Sequence, residues 1–262
     1  MRYTPRLRET PVSGTTKRLR VSGSARATFR AAVAPLAVFG IAIAALPLLR
    51  GGESAKFLLQ ENSILELGTF VSILAAALLA FWLAPRMHRG HGAAASVALS
   101  MFGIGCLFIA GEEIAWGQWF FAYETPLGLR DLNTQGEMTL HNIEGLQGKS
   151  EAFRMVFGLG GLLGIVLGRH RLLKAVAPPS ELLGWFVLIA FFGAGELLTD
   201  WVTLPIEPIH DGLRSKLFSE FQELVIAVVA LVYVVALARR ASLRSNDFKP
   251  SAATMLGRKR DR

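Results

Sequence analysis

One cysteine, Cys106, occurs in 262 residues, so no disulfide can form within the chain. Its place in an apolar run makes it a small buried hydrophobe rather than a catalytic thiol. Charge is scarce: 18% of residues are charged against 52% hydrophobic, and long stretches carry none. Mean hydropathy is +0.41, above that of an ordinary soluble domain. The alternating segments of roughly ten residues that mark a membrane β-barrel are missing. A recognisable secretory leader is missing too. The first apolar run begins near residue 31, behind a long basic stretch, and reads as a retained span.

The chain has instead several apolar runs near the ~20 residues that carry a helix across a ~30 Å hydrocarbon core. Six stand out, at about 31–49, 63–83 (ending at Pro85), 93–121, 152–168, 182–199 and 221–238. Backbone amides cannot stay unpaired in lipid, so each is expected to be helical. The expected fold class is therefore an all-α polytopic transmembrane bundle. In the fourth run Gly160, Gly164 and Gly168 recur every four residues. They share a face on which another helix can approach closely, within the chain or from a second copy.

Most of the 28 lysines and arginines fall in the two tails and in the second and fourth connections (Arg86, Arg89; Arg169, Arg171, Lys174). Most acidic residues fall in the alternate connections. The positive-inside rule then places both termini on the cytoplasmic side of a bacterial inner membrane. The net charge of +8 thus reports membrane orientation rather than nucleic-acid binding. Three regions follow: a basic, disordered tail over 1–30, a membrane domain over 31–239 with a long outer loop at about 122–150, and a second basic tail over 240–262. The lipid bilayer is the expected partner, with the tails lying against anionic headgroups.

The acidic residues of the spans gather at the outer end. Glu66, Glu112, Glu113, Glu196, Asp200, Glu220 and Glu223 come from four different runs. An ionisable group in a span is costly, so such groups face the bundle interior, pair, or line a wet cavity. Helical spacing puts Glu112, Trp116 and Trp119 on one face and turns Glu113 about 100° away. Glu196 and Asp200 share a face, as do Glu220 and Glu223, and like charges this close favour a held proton or a bound cation. In the outer loop, Pro126 and Gly128 mark a turn, and 133–146 reads as a short helix. There Glu137 and His141 stand at i, i+4, a spacing that can present two ligands to one divalent metal, while a local hydrogen-bonded cap explains them as well. The other outer histidine is His210.

The stretch GEEIAWGQWFFAYETP, followed by LNTQGEMTLHN, resembles a group of uncharacterised bacterial multi-span membrane proteins with an EEIxWGQ segment and then a QGExxxHN segment. The matching residues here are Glu112, Glu113, Trp116, Gly117, Gln118, Gln135, Gly136, Glu137, His141 and Asn142. More distantly, Glu112 and Glu113 look like the paired glutamates that open the motif of CAAX-protease-like membrane peptidases. The arginine of that motif is absent, with Trp116, Gly117 and Gln118 at its expected positions, and the histidines fall in connections rather than spans.

Three functions fit the residues. In the first, an intramembrane hydrolase or transferase, Glu112 or Glu113 is general base to a water that His141 and His210 orient or bind through a metal. Glu66, Trp116, Gln118, Glu137, Asn142, Glu196, Asp200 and Glu223 then line the site. Two outer histidines exclude a three-histidine zinc site but allow two with a carboxylate. The second function is cation binding or transport, opposed by the shortage of ionisable residues in the inner halves of the spans and by the lack of an internal repeat. The third is a non-catalytic scaffold or partner subunit, in which the same polar residues hold helix ends together.

Overall fold

The structure, a computed structural model, describes residues 21–45, 63–133, 136–140, 143–144, 150–201 and 212–247. It is all-α. In chain order the helices are α1 (Val21–Ala45), α2 (Ile64–His91), α3 (Ala93–Glu113), a 3₁₀ turn (Ala115–Gly117), the short α4 (Gln118–Phe121) and α5 (Leu127–Arg130), α6 (Ser150–Leu167), a second 3₁₀ turn (Ser180–Leu182), α7 (Leu183–Trp201) and α8 (Gly212–Asp247).

Four stretches are long and apolar enough to cross a membrane: Ile64–His91, Ala93–Glu113, Ser180–Leu198 and Lys216–Ser242. They correspond to the second, third, fifth and sixth expected spans. The first expected span contains a shorter apolar helix, Val33–Ala45, and its last residues lie outside the described ones. The fourth is α6, whose first turns carry Glu151 and Arg154. The outward faces suit a bilayer. Ile64, Val71, Leu78 and Trp82 along α2 and Val97, Met101 and Ile104 along α3 are all more than half exposed. Against lipid this apolar surface carries no hydration cost.

Several boundaries differ from the sequence expectations. Helix α2 runs through Pro85 to His91. Gly92, at φ +89°, is the one residue between it and α3. That conformation suits glycine, and it folds α2 and α3 into a tight antiparallel pair. Helix α1 begins at Val21 and α8 reaches Asp247, so both extend into the expected tails. The stretch read as a helix over 133–146 is not one in its described part: residues 136–140 form no helix, and Asn133 pairs with Ile143 in an isolated antiparallel bridge.

Two subassemblies make up the bundle. Helix α2 packs chiefly on α3 and α8, and α6 packs chiefly on α7. Glycine decides the second pairing. A Cβ on Gly158 would lie 2.5 Å from Ala190 N, and one on Gly193 would lie 2.7 Å from Met155 N, so the two backbones touch. Of the glycines singled out by their spacing, Gly164 and Gly168 pack on Pro178 and Ala177 of the following turn, while Gly160 faces open space. Helix α8 is the most buried of the spans and meets both subassemblies. Its Ala227, Ala230 and Val234 pack toward α2 and α3, and Val225, Ile226 and Val229 toward α6 and α7.

Candidate functional site

The third expected span does not continue to Phe121. Helix α3 stops at Glu113 because the chain turns left-handed: Ala115, Trp116 and Gly117 have φ of +45°, +54° and +91°. Two of these are not glycine, and such residues each cost about 1–3 kcal/mol. The contacts that hold them build the site. The turn folds the Trp116 ring back over Gly111, where a Cβ would lie 2.9 Å from the indole. Trp116 Nε1–H then donates to Glu112 Oε1 at 2.7 Å. The Tyr123 hydroxyl lies 3.0 Å from the Trp116 carbonyl oxygen and 3.3 Å from that of Ala115. Glu112 and Trp116 therefore meet as their spacing suggested, but through a break in the helix rather than along its face. Trp119 belongs to the separate helix α4.

The other oxygen of Glu112 reaches the long loop between α4 and α6. Leu140 N–H donates to Glu112 Oε2 at 2.7 Å. Gln118 grips the same loop from both ends of its amide: Met138 N–H donates to Oε1 at 2.9 Å, and Nε2–H donates to Thr125 Oγ1 at 2.9 Å and to the Tyr123 carbonyl at 3.1 Å. Thr125 passes its own proton to the Gly136 carbonyl at 2.7 Å. Asn133, buried, donates to the Thr139 carbonyl at 2.7 Å and accepts from Glu137 N–H at 3.2 Å. The loop is thus tied to the end of α3 by Glu112 and to the start of α4 by Gln118, and tied to itself by Thr125 and Asn133. Around these anchors α4 and the loop display large apolar side chains: Phe120, Phe121, Leu127, Leu132 and Leu140 are all exposed.

A second polar group lies beside this clamp. Arg154 of α6, only 3% exposed, places Nη2 2.8 Å from Glu196 Oε2 of α7 and Nη1 3.0 Å from Glu223 Oε1 of α8. It also meets Glu151 at 3.4 Å and donates to the Ser219 hydroxyl. Gln222, fully buried, donates from Nε2 to Glu196 Oε1 at 2.8 Å. One guanidinium so joins α6, α7 and α8. Among the described residues, Arg154 Nε and Gln222 Oε1 are buried without a hydrogen-bond partner.

Glu113, one residue on from Glu112, turns away from the loop. It comes within electrostatic reach of Glu223, Glu220, Glu66 and Glu112. The paired glutamates therefore serve two places: Glu112 the loop clamp, Glu113 the carboxylates around the arginine node. Glu66 sits in the first turn of α2, where its N–H donates to the Ser63 hydroxyl at 3.2 Å, a helix cap. Glu137 lies in the loop, where residues 136–140 form no helix. Asp200 belongs to α7. His141, Asn142 and His210 lie outside the described residues, and with them both expected metal ligands. Among the described residues, no group of three or more His, Cys, Asp or Glu is placed to hold a metal ion.

Sequence reasoning missed Arg154, Gln222 and Ser219. Arg154 carried a signal: it is the one cation in the apolar run 152–168, and an intramembrane charge calls for a partner. Gln222 carried none, since an amide between Glu220 and Glu223 reads equally as surface.

No protein family, curated protein or solved structure matches the chain.

Proposed function

We propose that this chain is a six-span protein of a bacterial inner membrane, with both termini cytoplasmic, whose outer loop is a fixed recognition surface for a partner protein. It is then a membrane scaffold or partner subunit. One observation carries this reading: both oxygens of Glu112 and both ends of the Gln118 amide are engaged in holding the loop in place. Glu112 directs one oxygen at an indole N–H and the other at a backbone amide, which supports a positioning role for it over that of a general base. A loop held this firmly, with Phe121 and Leu127 more than 70% exposed, has the character of an interaction surface.

The test is a photo-crosslinking residue in place of Phe121 in intact membranes. A discrete protein adduct, lost when Glu112→Ala loosens the loop, supports the reading. Adducts with lipid alone would overturn it, because the exposed rings would then be membrane anchors.

A second reading keeps a hydrolase or transferase and moves its acid–base group to Glu113. The proximity of Glu113 to the Glu223 and Glu220 carboxylates favours it. Glu113→Gln separates the two: it leaves loop adducts intact under the first reading and abolishes function under the second.

A further inference from the structure

Between the two subassemblies lies a cavity of about 300 Å³, near the lower end of ligand-site volumes. Phe102 of α3, Phe157, Gly160 and Gly161 of α6, Phe186 of α7 and Tyr233 of α8 contribute to its wall. The wall is almost wholly apolar. Tyr233 supplies a hydroxyl, but that hydroxyl donates to the Val176 carbonyl at 2.6 Å. Gly160 and Leu167 at the rim are exposed, so the cavity is a groove open along the side of the bundle.

Its ends are pinned differently. Toward the outer end, Arg154 ties α6 to α8. Toward the other end, the turn after α6 closes against α8 through Tyr233 and through Arg240, whose Nη1–H donates to the Ala177 carbonyl at 3.0 Å. Leu173, Val176 and Ala177 of that turn line the groove. The same turn carries Arg169, Arg171 and Lys174, all exposed. The groove therefore leads from the apolar middle of the bundle to a turn that carries three exposed cations and to which Arg240 is bonded, with Glu181 the single acid between Gly168 and Leu182.

An apolar slot at the depth of the spans, ending at clustered cations near the membrane surface, matches a lipid with an anionic headgroup. We propose that the groove holds one acyl chain of an anionic phospholipid, with its phosphate on Arg169, Arg171, Lys174 and Arg240. The geometry of the groove and its cations is independent of membrane sidedness. Assigning the lipid to the inner leaflet rests on the proposed orientation.

Native mass spectrometry of the delipidated protein in mild detergent tests this, with palmitoyl-oleoyl phosphatidylglycerol and the matching phosphatidylcholine as probes. One phosphatidylglycerol is expected per chain, with phosphatidylcholine held about tenfold or more weakly. Gly160→Leu, whose Cβ enters open space, should fill the groove and remove both lipids without unfolding the chain. Arg171→Glu/Lys174→Glu, on the surface, should remove the preference for the anionic lipid. Equal binding of the two lipids by the native chain, or unchanged phosphatidylglycerol binding by Gly160→Leu, would overturn the proposal. So would a dimer that Gly160→Leu dissociates, because the groove would then hold a second copy. Detergent micelles have no leaflets, so a failure of the orientation leaves these results unchanged.

Discussion

Glu112 accepts a hydrogen bond from the backbone N–H of Leu140, 28 residues further along the chain, at 2.7 Å. That single carboxylate joins the end of a membrane span to the middle of a long loop. Its second oxygen holds Trp116 at the same distance, so the left-handed turn after α3 and the position of the loop depend on one side chain.

Removing that carboxylate should free the loop. Glu112→Ala leaves the Leu140 amide and the Trp116 indole without this acceptor, at a cost of about 0.5–1.5 kcal/mol for each part-buried hydrogen bond lost. Hydrogen exchange at Met138 and Leu140 should quicken at least tenfold while exchange in α2 and α8 stays slow. Glu112→Gln, which retains one acceptor oxygen, should fall between. Unchanged exchange at Leu140 in Glu112→Ala would show that the loop is held by other contacts.

Gly111→Ala should disturb the same turn from the opposite side. Its Cβ would lie 2.9 Å from the Trp116 ring, whereas a Cβ on Gly105 in the same helix meets nothing within 4 Å. Overpacking of this kind costs about 1–3 kcal/mol. A thermal melt in detergent should show a lower midpoint for Gly111→Ala and none of that loss for Gly105→Ala. Equal midpoints for the two variants would contradict the packing of the indole on Gly111.

Arg154 is shared by Glu151, Glu196 and Glu223. Arg154→Met should destabilise the bundle by about 1.5–3 kcal/mol, because it removes charge-assisted hydrogen bonds to Glu196 and Glu223. Adding Glu196→Gln to that variant should recover part of the loss, since the two sites are coupled. Arg154→Lys should not restore full stability, because an ammonium lacks the fork that reaches Glu196 from one nitrogen and Glu223 from the other. Melting midpoints of the native chain, Arg154→Met, Arg154→Lys, Glu196→Gln and the double variant measure all of this, and strict additivity of Arg154→Met and Glu196→Gln would argue against the node.

The proposed orientation predicts opposite labelling at two surface positions. Cys106 is buried, so the native chain gives a silent background. Glu144→Cys in the outer loop should react with a membrane-impermeant maleimide added to intact cells, and Arg171→Cys should react only after lysis. The reverse pattern would invert the topology.

The all-α class and the second, third, fifth and sixth spans were legible because they rest on local quantities. A run of apolar residues near the bilayer length forces a helix, whatever surrounds it. The ends of the elements were less legible. Pro85 reads as a stop, yet α2 continues through it to His91 and turns at Gly92. The third run reads as helical to Phe121, yet it stops at Glu113, because Trp116 gains Glu112 and the face of Gly111 by adopting positive φ. Helical periodicity over 133–146 misled for a similar reason: the amides of Met138 and Leu140 find acceptors on Gln118 and Glu112 rather than four residues back.

The sequence by itself determined that this chain is helical, that several of its stretches are near the length and hydropathy that cross a membrane, and that its acidic residues cluster toward one end. Hydrophobicity and backbone hydrogen bonding act over one helix length, so composition along the chain suffices for those conclusions. Only the tertiary structure decided that Glu112 reaches the Leu140 amide, that Arg154 gathers carboxylates from three helices, and that an apolar groove opens beside Gly160. Those outcomes depend on which side chains meet across 28 to 69 residues of chain. At such separations a carboxylate's partner is set by packing and geometry, which no local pattern encodes.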